Sequence, residues 1–180
     1  MKYFDKKVSL GGACVLIHGQ TASGKTASSI TMEPPILHIN KEPKSPISIH
    51  AQLPQPTGLD ITYVESEGFD NIMTFLNDLV SQAEAGTCKY RSIFHDGLTF
   101  SNAQYSQAVD DDRYEARKVS KNDLPRPGMT DRFRKERPDW STVASMMARE
   151  TFLLNQLSKF GLVVVSTAIT AEYPKYNQSV

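Results

Sequence analysis

The residues with the clearest chemical pattern run from Gly19 to Thr26, where the chain reads GQTASGKT. This stretch fits the pattern G-x-x-x-x-G-K-[ST], in which backbone amides wrap phosphate groups, the lysine reaches the terminal phosphates and the last hydroxyl binds Mg²⁺. It predicts a phosphate-binding loop in which Lys25 stabilises charge on the transferred phosphoryl group and Thr26 is a magnesium ligand. The residues expected to bind the nucleotide are Gly19, Gln20, Thr21, Ala22, Ser23, Gly24, Lys25, Thr26 and Ala27.

Such a loop needs a partner acid that helps to hold the magnesium. Asp96 follows the apolar stretch 92–95, which has the length and composition of a buried strand. Ligands collect at the carboxyl ends of strands in open parallel sheets. We therefore expect Asp96 to be the second magnesium ligand. The next residue is Gly97, so an acid that activates water must come from elsewhere in the chain.

Glu42 is the candidate for that acid, because it comes just after a short apolar stretch at 36–40. A carboxylate near the end of this strand would orient the attacking water beside the terminal phosphate. The alternative is a solvated loop glutamate between Lys41 and Lys44.

The elements that position these residues alternate between strand patterns and helix patterns. Strands are predicted at 13–18, 36–40, 60–65, 91–96 and 162–167, and helices at 25–31, 69–83 and from Asp139 to Phe160. The proline-rich stretch 41–58 is predicted to be a loop. The order indicates an α/β fold with a parallel sheet. We expect a single domain over 1–180, with a polar, mobile insertion at 101–138.

Composition indicates the cellular compartment of the protein and the kinds of partner that it contacts. Twenty basic residues balance twenty acidic ones, so a nucleic-acid surface would have to be local. The longest aliphatic run, 162–165, is far shorter than a membrane span, and the first residues lack the apolar core of a signal peptide. Cys14 and Cys88 have no metal-type spacing. These features predict a cytoplasmic protein with reduced thiols and no membrane contact.

In order and spacing, these segments resemble the RecA-like ATPases and, among them, small phage-encoded recombination ATPases. The stretch ILHINKE places Glu42 where that superfamily has a glutamate beyond its second strand. The stretch YRSIFHDGLTF matches the magnesium-binding strand, and its Asp-Gly-Leu-Thr is close to the Asp-Ser-Leu-Thr of the phage members. The tip of the fifth strand offers Ser166 and Thr167 as sensors of the γ-phosphate, with Thr167 as the catalytic candidate.

The resemblance implies a P-loop NTPase core that binds ATP and Mg²⁺ and hydrolyses ATP in DNA recombination or replication. Such enzymes commonly complete their sites at subunit boundaries, which implies a homo-oligomer in the cytoplasm of a bacterial host. RecA-like cores continue past the fifth strand with a DNA-facing loop. The resemblance therefore implies a chain truncated at its C-terminal end or a minimal variant.

The polar segment between the fourth strand and the last helix is the candidate contact with single-stranded DNA. Basic side chains would follow the phosphates and aromatic ones would stack on bases. The basic residues are Arg113, Arg117, Lys118, Lys121, Arg126, Arg132, Arg134, Lys135 and Arg137, and the aromatic ones are Tyr114, Phe133 and Trp140. Acids interrupt this charge at Asp110, Asp111, Asp112, Glu115, Asp123, Asp131 and Glu136. A solvated lid or an oligomer contact is the alternative.

Two other functions begin with the same loop. A P-loop kinase would transfer phosphate to a nucleotide or another small molecule, with the basic stretch 132–137 as its lid. An assembly protein would use ATP only to order an interface. Turnover distinguishes the three, because phosphate goes to water, to an acceptor, or nowhere.

Replacement of Arg132, Arg134, Lys135 and Arg137 by alanine tests the DNA contact. If these side chains touch phosphates, binding of single-stranded DNA weakens similarly across sequences. The log–log salt dependence also flattens, by up to about 0.7 per lost contact. The affinity of the free protein for ATP stays the same. Unchanged DNA binding and salt slope, or no DNA binding by the wild type at low salt, would assign the segment to a lid or an interface.

Overall fold

The structure, a computed structural model, describes residues 11–66, 68–119 and 137–169. Its centre is a parallel sheet with the strand order β1-β5-β4-β2-β3. The strands are β1 Ala13–Gly19, β2 Ile36–Asn40, β3 Ile61–Glu65, β4 Ser92–Asp96 and β5 Val163–Ile169. The predicted α/β fold with a parallel sheet is confirmed. In this order β5 lies between β1 and β4, so the end of β5 separates the 19–26 loop from the end of β4.

Helical segments connect the strands. A short 3₁₀ helix follows the 19–26 loop, and four α-helices complete the described residues. They are the 3₁₀ helix Thr26–Thr31, α1 Pro46–His50, α2 Phe69–Glu84, α3 Leu98–Val119 and α4 Arg137–Lys159. None of the helices in the described parts of the chain is both long and apolar enough to cross a membrane.

Two stretches differ from the sequence prediction. The loop predicted at 41–58 contains α1, in which Pro46 occupies the first turn, where its missing N–H and fixed φ are tolerated. Residues 101–119, predicted to belong to a polar insertion, continue α3. Most of its side chains described as exposed are polar, among them Asn102, Gln107 and Asp111, and it buries Ser101 and Tyr105. Residues 120–136 of the predicted insertion lie outside the described residues, and 137–138 belong to α4.

The two faces of the sheet differ in chemistry. One face packs against α2 and α4 and forms the apolar core, to which the strands contribute Leu37, Ile39, Ile93 and Val164. Since successive strand residues point to opposite faces, the other face carries a polar set at its carboxyl edge. Asn40 and Asp96 are opposite each other there, and Thr167 bonds to Asp96 from β5. This edge adjoins the 19–26 loop.

Candidate functional site

The 19–26 loop forms a tight turn between β1 and the 3₁₀ helix. Ser23 N donates to the carbonyl oxygen of Gln20 at 3.3 Å. Ala22 has φ 64° and Gly24 has φ 85°, a left-handed region that glycine adopts without steric cost. A Cβ atom on Gly19 would lie 3.1 Å from Ser23 Oγ, so the turn closes tightly at its base.

The side chain of Lys25 lies inside this turn. Its Nζ donates to the carbonyl oxygens of Gly19 at 2.9 Å and Gln20 at 2.8 Å. The residue is largely buried, although it carries a charge. The loop backbone therefore fixes the ammonium group of Lys25, whose charge can act on an anion bound at the loop.

The carboxylate of Asp96 joins two elements that flank it. Its Oδ2 accepts a hydrogen bond from Thr26 Oγ1 at 2.7 Å, and its Oδ1 accepts one from Thr167 Oγ1 at 2.6 Å. The Thr167 hydroxyl also accepts a bond from Gly97 N at 3.0 Å. Thr167 thus fixes both the carboxylate and the turn after it, which is a positioning arrangement. Asp96 and Thr167 are buried.

Asp96 remains ionised although it is buried. Burial by itself raises the pKa of the carboxyl group, but His38 and the hydroxyls of Thr167 and Thr26 together hold the pKa below its ordinary value. His38 Nε2 lies 3.6 Å from Asp96 Oδ2, too far for a hydrogen bond. Burial lowers the pKa of His38, partly offset by Asp96. His38 and the two hydroxyl groups therefore stabilise the negative charge together.

Glu42 is fixed by Asn40, the last residue of β2. Asn40 Nδ2 donates to the carbonyl oxygen of Glu42 at 3.0 Å, and Glu42 N donates to Asn40 Oδ1 at 3.2 Å. The Glu42 side chain packs over Gly97, since a Cβ atom there would lie 3.2 Å from Glu42 Cγ. Gly97 has φ 108°, which disfavours any residue with a side chain. The glycine after Asp96 therefore makes room for the carboxylate from β2.

Burial and charged neighbours together raise the pKa of Glu42. Burial, followed by the charge of Asp96, raises its pKa, and the positive charges of Lys25 and Lys44 offset part of this effect. The side chain therefore lies within electrostatic reach of both the acid and the cation of the site. A carboxylate with a raised pKa is a stronger base than an exposed one.

A cavity of about 310 Å³ unites most of the residues predicted from the sequence. It is lined by Thr21, Ala22, Ser23, Gly24, Lys25, Thr26, Ala27, Glu42, Lys44, Ile49 and Ile169. Asp96 lies beneath Thr26, and neither Ser166 nor Thr167 is among these lining residues. The sequence reasoning did not identify Lys44, Ile49 or Ile169 as part of the site. Lys44 could have been recognised as a cation two residues after Glu42.

The donor set fits Mg²⁺. The Thr26 hydroxyl donates its hydrogen bond to Asp96, so its oxygen lone pairs remain available to a cation, and Asp96 adds a negative charge below it. Within 11–66, 68–119 and 137–169, no group of three or more His, Cys, Asp or Glu residues is placed to hold a metal ion. Mg²⁺ rarely needs such a cage, because it keeps several waters and takes phosphate oxygens as ligands.

Replacement of Thr167 by valine tests the positioning arrangement. The change keeps the shape and removes the hydroxyl, which leaves Asp96 with one donor fewer and Gly97 N without its acceptor. We expect a loss of about 1–3 kcal/mol of unfolding free energy in urea. Because the pKa of Asp96 is lowered, its stabilisation is present at about pH 7 and is lost in acid as the pH falls through that lowered value, so the penalty shrinks there.

Two variants serve as controls for this measurement. Thr167→Ser keeps the hydroxyl and should keep most of the stability. Thr151→Val changes an exposed threonine on α4 and should cost less than about 0.5 kcal/mol. Equal stability of Thr167→Val and the wild type at neutral pH would show that the Thr167 bonds contribute nothing.

No protein-family model and no curated protein sequence matches the chain.

Proposed function

We propose that this protein is a Mg²⁺-dependent ATPase with a P-loop and a RecA-like core. The observation that carries the proposal is that one cavity joins the GQTASGKT loop to Glu42, with the Thr26–Asp96 hydrogen bond at its base. These are the parts that phosphoryl transfer to water needs: a phosphate cradle, a magnesium position and a base. They come from separate segments that only the fold brings together.

Binding of the triphosphate falls to the 19–26 loop. The backbone amides of such a loop form a concave site for anions. Lys25, fixed by the carbonyl oxygens of Gly19 and Gln20, supplies a positive charge that can neutralise the phosphate oxygens as charge develops on them. In this role Lys25 transfers no proton, and its effect depends only on where its charge lies.

Thr26 and Asp96 would hold the magnesium. Mg²⁺ held there would neutralise negative charge on the phosphates during the transfer. Thr26 supplies a ligand oxygen. The buried Asp96 accepts a hydrogen bond from that hydroxyl, which makes the oxygen a better ligand, and Thr167 holds Asp96 in place. Thr167 therefore acts in this proposal by positioning Asp96.

Glu42 would act on the attacking water. Its carboxylate takes a proton from the water while the water oxygen attacks the γ-phosphorus, and the bond to the β-phosphate oxygen breaks to release ADP. The raised pKa of Glu42 suits this step, because a partly buried carboxylate accepts a proton more readily.

The remaining proposals rest on the sequence. Action on single-stranded DNA in phage recombination follows from the resemblance and from the basic residues between Arg113 and Arg137. Assembly into a homo-oligomer in the host cytoplasm has the same basis. A P-loop kinase or an ATP-ordered assembly protein would share the loop and the cavity, and turnover separates them from an ATPase.

Replacement of Glu42 by glutamine tests the proposed chemistry. The variant should bind ATP with wild-type affinity, because the phosphate loop is unchanged. It should hydrolyse ATP about 10²-fold more slowly, since it loses a positioned base. Phosphate release and equilibrium ATP binding are measured on the same preparation.

Glu84→Gln is the matched control, because it makes the same chemical change at an exposed position near the end of α2 and should leave turnover unchanged. Wild-type hydrolysis in Glu42→Gln would move the base to another residue. Transfer of phosphate to an added nucleotide acceptor would favour the kinase. ATP binding with no turnover by the wild type would favour the assembly protein.

A further inference from the structure

Behind the candidate site lies a buried polar cluster of four side chains, Lys41, His95, Tyr105 and Glu150. Lys41 Nζ lies 2.7 Å from Glu150 Oε1 and donates to Tyr105 Oη at 3.0 Å. Tyr105 Oη donates to Glu150 Oε2 at 2.8 Å, and His95 Nε2 lies 3.0 Å from Glu150 Oε1. The four residues come from four elements: the end of β2, the strand β4, and the helices α3 and α4.

The charges of this cluster are fully enclosed. The side chains of Lys41, His95 and Glu150 have 0% of their surface exposed. Burial raises the pKa of Glu150, but His95 and Lys41 outweigh burial and lower the pKa to about 2, which keeps the carboxylate ionised. Burial lowers the pKa of Lys41, and Glu150 offsets part of that effect. Tyr105 and His95 satisfy the carboxylate further.

A buried ion pair is a poor device for stability alone. The desolvation of two charges can exceed their attraction, and apolar side chains of similar volume often stabilise a protein equally well or better. Ion pairs do fix geometry, because the charged atoms tolerate few other arrangements. The place of this pair in the fold therefore matters more than its net energy.

That place is directly behind the two carboxylates of the site. Lys41 immediately precedes Glu42, and His95 immediately precedes Asp96. Lys41 N also donates to the carbonyl oxygen of Asp96 at 2.9 Å, which joins the two chain segments at this point. Any shift of the Lys41 or His95 backbone would therefore move Glu42 and Asp96 relative to each other.

We propose that the Lys41–Glu150 pair, with Tyr105 and His95, positions Glu42 and Asp96 for catalysis. The four side chains are positioning residues, since none lines the cavity of about 310 Å³. They anchor the ends of β2 and β4 to α3 and α4. The cluster thereby determines the position of Glu42, the proposed base, relative to Asp96, the proposed magnesium ligand. This role rests on the proposed ATPase function.

The test uses the full chain with both charges of the pair removed, as Lys41→Met/Glu150→Gln. Either single change leaves one buried charge without its partner and should destabilise the fold strongly. The double variant leaves no unpaired charge, so it should recover much of the stability lost in the single variants. Its hydrolysis should remain at least about tenfold below the wild type, as expected when a base is misplaced.

The kinetic parameters separate positioning from general damage. KM for ATP at saturating Mg²⁺ should stay within about twofold, because the 19–26 loop is untouched, whereas kcat falls and the Mg²⁺ concentration needed for half-maximal rate rises.

Leu154→Ala is the matched control, since it opens a cavity at a fully buried leucine one turn from Glu150. It should lower stability and leave kcat within about twofold at a temperature where it is folded. Wild-type kcat in the double variant would overturn the proposal.

A crystal structure of the double variant tests the positioning separately from the ATPase function. We expect the Glu42 side chain to leave its contact with Gly97 while the 19–26 loop keeps its conformation. That result supports the positioning role even if the wild type hydrolyses no ATP, in which case only the proposed function fails. A Glu42 side chain still packed on Gly97 would overturn the positioning role whatever the wild-type activity.

Discussion

The carboxylate of Asp96 accepts one hydrogen bond from Thr26, at the end of the 19–26 loop, and another from Thr167 on β5. These two bonds join β4 to β5 and to the loop that follows β1. The arrangement is possible because β5 lies between β1 and β4. With β1 beside β4, no residue of β5 would separate the loop from the acid. The strand order therefore determines both the spacing of Thr26 from Asp96 and the role of Thr167.

Polar groups at the end of the sheet carry a cost that the apolar core offsets. His38, Asn40, Asp96 and Thr167 are all buried at or near the polar face, and a buried polar group without a partner destabilises a fold. Most of these groups have partners, but the ring nitrogens of His38 have none within hydrogen-bonding distance. Local rules of folding are commonly broken at functional sites. The unpartnered histidine beside Asp96 agrees with a site that is specialised rather than optimised for stability.

How far the sequence predicts this structure depends on whether the signal is local. The loop residues and Asp96 are recognisable because a motif or a strand end marks each one. Helix α1 lies where a loop is predicted because Pro46 is typical of loops and equally suited to the first turn of a helix. The hydrogen bonds of Thr167 to Asp96 and Gly97 could not be predicted, because they depend on which strands are neighbours.

The buried cluster has one signal in the sequence, the position of Glu150. Residues 143, 146, 147, 153, 154 and 157 form the apolar stripe of α4, and Glu150 falls on that stripe at helical spacing. A charged residue at such a position needs a buried partner. Helical periodicity would thus have singled out Glu150, but only the fold identifies Lys41 as its partner.

Equilibrium binding of ATP, ADP and AMP to the wild-type protein, each with and without Mg²⁺, tests the central claim most directly. The account predicts that ATP and ADP bind at one site per chain, that Mg²⁺ strengthens the binding of both, and that AMP binds weakly and without regard to Mg²⁺. This order follows because the 19–26 loop and Thr26 would act on the β- and γ-phosphates. Equal affinities for ATP and AMP, or ATP binding that Mg²⁺ does not change, would contradict the account.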